Sequence, residues 1–279
     1  MSRARPPVSG KKIGRFSKEN AGTAFRRGLP PRGWLVLALL AAPAIRAGDT
    51  ADALVQQALA AEAHFDSKTA LACLLKADAA RPNDAFILQK ISQQYSDSVE
   101  DLSDPAAQRQ LAEKALAYAR RAVALQPKNA VNVLSVAICY GKLSLCSDTR
   151  TEIEDSRRVQ EYAERAIALD PKYDWAYHVL GRWNYELASL GATKRFLAKL
   201  IYGGLPPASA DEAVRLLRRA VELAPETVSH HVDLGFAYLA DKQPALARAE
   251  FEKATKMPPA EKYDVEEKKR AAAALAKLK

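Results

Sequence analysis

The residues able to do chemistry are few and poorly matched to one another. His230 and His231 are neighbours in sequence, and the other two histidines, His64 and His178, stand alone. Adjacent residues on a helix point about 100° apart, so this pair is not expected to share a metal ion. Cys73, Cys139 and Cys146 form no CxxC and no Cys/His spacing that suits zinc. Cys139 and Cys146 could pair in an exported chain; otherwise all three read as small apolar residues in helices. Asp211, Glu212 and Glu222 read as first-turn helix charges and solvated faces rather than an acid/base pair. Gly203-Gly204 lacks the Lys-Ser/Thr of a phosphate loop and reads as a turn. Neither G-x-x-x-x-G-K-[ST], H-E-x-x-H, G-x-S-x-G nor G-x-G-x-x-G occurs. The expectation is a binding protein with no catalytic residue, no cofactor and no metal. The densest aromatic group, including Trp175 and Trp183, falls in Asp174–Pro225.

The elements that would position such a cluster are helices. Alanine and leucine dominate, glycine is sparse, and runs of β-branched residues are missing. Five similar blocks recur: LLKADAARP ending at Pro82, ARRAVALQP at Pro127, AERAIALDP at Pro171, LRRAVELAP at Pro225 and FEKATKMPP at Pro259. Each is an amphipathic helix closed by a proline that cannot continue it. The prolines are 45, 44, 54 and 34 residues apart.

The last spacing is the period of a tetratricopeptide repeat. Leu234, Gly235, Tyr238, Ala247, Phe251, Ala254 and Pro259 all match that pattern, and His231 stands where it has tryptophan. Alanine and glycine let paired helices approach, while Phe, Tyr and Leu fill the space between pairs. The other units fit with extra residues between their two helices: about eleven around SDSVEDLSDP, ten around SDTRTEIED and twenty after Tyr185. Tyr263–Leu278 reads as a capping helix. The predicted fold is all-α, a right-handed superhelix of about five helix pairs with insertions and a C-terminal cap.

LGRWNY (Leu180–Tyr185), the basic leucine-rich segment with Lys194, then GGLPPAS and DEAVRLLRRAVELAP together resemble the regulator of microtubule dynamics protein family. The ordering of the units extends the resemblance over Ala51–Lys279. It implies a non-enzymatic helical-repeat protein. Animal members of the family are associated with microtubules and organelle membranes. For an exported bacterial-type relative, the fold would carry over without that partner.

In repeats of this kind the first helix of each pair lines the concave groove. That register places Phe86, Leu134, Ile138, Lys142, Trp175, His178, Arg182, Tyr185 and Phe236 along the groove, with a basic spot at Lys142, His178 and Arg182. These residues either pack against neighbouring turns or form a binding face. A protein or peptide is the first partner class; an apolar helix or acyl chain, with Arg182 on a carboxylate or phosphate, is the second. The insertion Leu190–Tyr202 puts Phe196, Leu197, Leu200 and Ile201 on one face and Lys194, Arg195 and Lys199 towards the other. It either extends the core or touches an anionic membrane or acidic partner.

The net charge of +9 does not argue for nucleic acid. Residues 1–47 hold ten Lys/Arg and one acid, which leaves 32 basic and 32 acidic residues in the remainder. Trp34–Ile45 is an uncharged run too short to span a bilayer, which takes about 20 apolar residues. Behind a basic front it reads as an export signal with Ala42-Pro43-Ala44 as the cleavage motif; an anchor and a mitochondrial transit peptide are the alternatives. The chain thus divides into a leader, 1–47, and a repeat domain, 48–279.

Overall fold

The computed structural model describes residues 47–278 except 192–197 and 202–203. The expected leader, up to Arg46, lies outside them, as do Lys194, Arg195, Phe196 and Leu197 of the insertion. Among the described residues eleven helices follow one another, with no strand. They are α1 (Ala47–Ala63), α2 (Ser67–Ala80), α3 (Ala85–Ser98), α4 (Pro105–Leu125), α5 (Ala130–Ser144), α6 (Thr149–Leu169), α7 (Asp174–Ala188), α8 (Ala210–Leu223), α9 (Val228–Ala240), α10 (Pro244–Lys256) and α11 (Asp264–Lys277). Each helix packs on the next, so α1–α10 form five antiparallel pairs in a helical-repeat solenoid and α11 covers the last pair.

The connectors between pairs are set by local chemistry. Residues 81–84, 126–129, 170–173 and 224–227 each link a second helix to the next first helix, and the proline of each block is the second connector residue. Its missing N–H and fixed φ stop the helix there. The fourth residue is the N-cap position of the next helix, and in the first two connectors its side chain makes the cap. Asp84 accepts from Phe86 N–H and Ile87 N–H, and Asn129 does the same for Val131 and Asn132. Asn83 takes a left-handed φ of 63°, which asparagine tolerates better than most residues.

The extra residues of the second and third units do not form separate elements. α4 and α6 are each 21 residues long, against 14 for α2 and α8. Seven residues add two turns, about 10 Å of helix. SDTRTEIED supplies the Asp148 cap and the first turns of α6, and Asp104-Pro105 starts α4 in the same way. In the fourth unit, residues 198–201 form a helical turn. Arg157 on α6 donates to the Gly204 carbonyl at 3.1 Å, and Ser209 N–H donates to Asn184 at 3.3 Å, so the chain is tied to α6 and α7 after the insertion.

The pairs close because their crossing points are small. Ala58, Ser92, Ala137, Gly181 and Gly235 occupy equivalent places on the five first helices, and all are buried. Opposite them on the second helices, Ala70, Ala77, Ala119, Ala166, Ala213, Ala220, Ala247 and Ala254 are fully buried. A Cβ on Gly235 would lie 2.4 Å from Phe251 Cε1, and one on Gly181 would lie 2.6 Å from Leu217 Cγ. Gly141, in contrast, has only Val159 Cγ2 nearby, at 4.0 Å.

The two glycines therefore respond oppositely to alanine. Alanine gains about 1 kcal/mol of helix propensity over glycine. At Gly235 the crowding of a fully buried Phe251 outweighs it, since overpacking costs about 1–3 kcal/mol. Gly235→Ala is expected to lose about 1 kcal/mol or more of stability in urea unfolding, and Gly141→Ala to gain up to about 1 kcal/mol. The reverse order would contradict this account of the crossing.

Candidate functional site

The first helices α3, α5, α7 and α9 carry the groove residues at equivalent heights. Phe86, Val131 and Trp175 are each the second residue of their helix. Phe86 and Val131 are exposed, 46% and 39%, while Trp175 is half-buried. One turn on, Gln89, Leu134 and His178 are buried. Beyond them Ile138, Arg182 and Phe236 are half-buried. Asp97, Lys142 and Glu186 end the row, and Lys142 pairs with Glu100. Tyr185 is buried.

Three of the expected residues, His178, Arg182 and Tyr185, meet at an acid that sequence reasoning passed over, with Trp175 against the His178 ring and Phe236 against the Tyr185 ring. Asp233 on α9 is 1% exposed. Its Oδ1 accepts from the Tyr185 hydroxyl at 3.2 Å and lies 3.6 Å from the Arg270 guanidinium on α11. Its Oδ2 makes no hydrogen bond; it lies 3.4 Å from His178 Nε2 and 3.8 Å from Arg182 Nη1. Arg182 also holds Glu186 at 2.8 Å, and Arg270 holds Glu267. The Arg270 guanidinium sits 4.9 Å over the Phe236 ring, which stacks on Tyr185. Burial and the Asp233 charge push the Tyr185 phenol up, so it remains a donor. The signal available in the sequence was Asp233 itself, one acid inside the apolar helix VSHHVDLGFAYLA, where an ionised group needs partners.

The histidines extend this network. His230, fully buried, approaches Asp174 with Nε2 at 2.9 Å and His178 Nδ1 with its own Nδ1 at 3.1 Å. Trp175 lies edge-on to both rings, at 4.8 and 4.9 Å. The chain Asp174–His230–His178–Asp233 has three links, each needing one proton. Which ring nitrogens carry the protons decides which links are made. The longest, His178 to Asp233, ends on the oxygen without a hydrogen bond. His231 points elsewhere, with Nε2 on the Pro225 carbonyl at 2.9 Å and Nδ1 on Glu250 at 2.6 Å. It ties the α8–α9 connector to α10. Among the described residues no group of three His, Cys, Asp or Glu side chains could hold a metal ion.

A second charged cluster lies at the α3 end of the groove. Lys142, Arg182 and Lys262 surround Glu100; burial alone would raise its carboxyl, but these cations hold it below the ordinary value. Burial pushes the Asp97 carboxyl up to about 6, against the pull of Lys142 and Lys262. Outside the groove, Lys199, Leu200 and Ile201 are exposed on their helical turn, the last two at 71% and 61%. Among the described residues no helix is long and apolar enough to cross a membrane.

These titrations oppose one another. Burial first, then His230 and Arg182, hold the His178 imidazole well below its ordinary value. The unfolded chain has a histidine near pKa 6.5 that takes up a proton the folded chain refuses, so this group withdraws stability as pH falls from about 7 to 5. Asp97 keeps its proton to about 6 when folded and to only about 3.9 when unfolded, so it returns stability over the same window. On acidification His178→Gln is expected to lose less stability than the native chain, and Asp97→Asn to lose more. Urea unfolding at pH 7 and pH 5 measures both; equal slopes for all three chains would contradict the assignments.

Residues 49–279 match the family model described as Regulator of microtubule dynamics protein 1-3. Regulator of microtubule dynamics protein 1 of Mus musculus is 29% identical over 127 residues, 45% of this chain and 42% of that protein. Regulator of microtubule dynamics protein 3 of Xenopus laevis is 30% identical over 138 residues, 50% of this chain and 30% of its own length. The matches thus span less than half of either relative. Among solved structures, a thermophilic TPR protein of Thermus thermophilus superposes with a TM-score of 0.60 at 18% identity, covering 81% of this chain and 99% of its own. That likeness shows the helical-repeat fold.

Proposed function

The chain belongs to the regulator of microtubule dynamics protein family, and on that premise we propose that it is a non-catalytic helical-repeat scaffold that binds a protein or peptide across its concave, first-helix face. The observation that carries this reading is the row Phe86, Val131 and Trp175. Two of these large apolar side chains are exposed, and all three repeat at one height on α3, α5 and α7. Such a row fits alternate anchors of an extended or helical segment. Beyond it stand the partly exposed charges Arg182, Glu186, Lys142 and Glu100, which would orient a polar partner. The names of the relatives supply the first partner to try, the microtubule lattice.

Phe86 and Val131 are suited to a test because both are exposed and lie outside the buried apolar clusters. Phe86→Ser/Val131→Ser is expected to reduce co-sedimentation with microtubules, or capture of a protein partner, about tenfold or more without lowering the melting temperature. Leu246→Ser, at an exposed position on the second helix α10, should leave binding unchanged. A double variant that binds like the native chain would remove the groove reading.

A membrane-associated module is the second reading, favoured by Leu200 and Ile201 beside Lys199. Apolar side chains next to a cation suit an anionic bilayer surface. Flotation with vesicles containing phosphatidylserine is then expected for the native chain and not for Leu200→Ser/Ile201→Ser. Equal flotation, or none by either, would exclude this role for the insertion.

A further inference from the structure

One contact on the groove joins residues more than 160 positions apart. Between α10 and α11 the chain runs through Pro258-Pro259 and then Ala260–Asp264. Asp264 Oδ2 accepts from Ala260 N–H at 2.7 Å and Glu261 N–H at 2.8 Å, and Lys268 Nζ donates to the Met257 carbonyl at 2.6 Å. The segment is therefore shaped locally before it touches anything distant. Lys262 Nζ then reaches Asp101 Oδ2 at 2.9 Å and the Asp97 carbonyl at 3.2 Å. The Tyr263 hydroxyl donates to the same carbonyl, and Lys262 lies 4.9 Å over the Tyr263 ring.

The acceptor is the C-terminal end of α3, on the groove-facing stripe Phe86–Gln89–Gln93–Asp97. A helix leaves its last carbonyls unpaired and carries partial negative charge there. Asp97, Glu100 and Asp101 add carboxylates around it, so the end of α3 is built to receive a cation and a hydroxyl donor together. Lys262 and Tyr263 provide both. Their contacts are polar and half-exposed, and such contacts contribute little net stability.

We propose that Ala260–Asp264 is a strap that closes the concave face by docking Lys262-Tyr263 on the end of α3, and that a partner segment with a basic residue followed by an aromatic one takes the same place by displacing it. This extends the reading of the first-helix face as the binding face. It can be tested without knowing the partner, so failure of one leaves the other standing.

The probe is the strap's own peptide, Pro258–Val265, added in trans to the full chain. Lys262→Ala/Tyr263→Phe removes both donors and keeps the ring. That variant is expected to bind the peptide about tenfold more tightly than the native chain, whose tethered strap competes at high effective concentration. Amide signals of 97–102 should shift on binding, and a peptide carrying the same two substitutions should not bind. Faster hydrogen exchange at 97–102 in the variant, with α5–α10 unchanged, is the accompanying expectation. Equal binding to both chains, binding to neither, or unchanged exchange would overturn the proposal.

Discussion

A buried carboxylate holds the second half of this solenoid in register. Asp233 sits on α9 with almost no solvent access, and its neighbours come from two other helices: His178, Arg182 and Tyr185 from α7, and Arg270 from α11. An ion in such a place is tolerated only while its partners stay. Apolar contacts between repeats can slide by a fraction of a turn; a carboxylate between two guanidiniums, an imidazole and a phenol cannot. The fourth pair, the fifth pair and the cap are thereby fixed as one unit. The Asp174–His230–His178 chain carries the same constraint to the start of α7.

Fixing α11 has a consequence at the other side of the groove. α11 begins at Asp264, the residue that shapes the strap, and the strap meets α3. The groove is consequently bounded on one side by the network around Asp233 and at the α3 end by a weak polar clasp. Between them lie Phe86, Val131 and Trp175. A fixed wall, a polar contact and exposed apolar side chains are features that favour the proposed binding groove.

The repeat register was legible because the helix crossings demand small residues. Gly235 with Phe251 and Gly181 with Leu217 leave no room for a Cβ, so the L-G, Ala and Phe positions stand out in a single sequence. The proline of each connector was legible for an equally local reason. The extra residues before α4 and α6 were visible as length but not as form, because a capping Asp and a run of helix formers read the same in a loop-bounded insertion or a longer helix. The Asp233 network was hidden. Periodicity places His178, Arg182 and Tyr185 on the groove, yet which charges meet across about fifty residues is decided by how repeats stack in space, which no local pattern encodes. The contact of Lys262 and Tyr263 with Asp97 is hidden for the same reason.

The most direct test of the account is native-state hydrogen exchange on Asp233→Asn, which keeps the shape of the side chain and removes its charge. The expected result is selective: α11, residues 260–264, the docked residues 97–102 and the facing amides of α7 lose protection, while α1, α2 and α4 exchange as before. Uniform loss across all the helices, or no change in α11, would contradict the claim that this carboxylate fixes the cap and, through it, the groove.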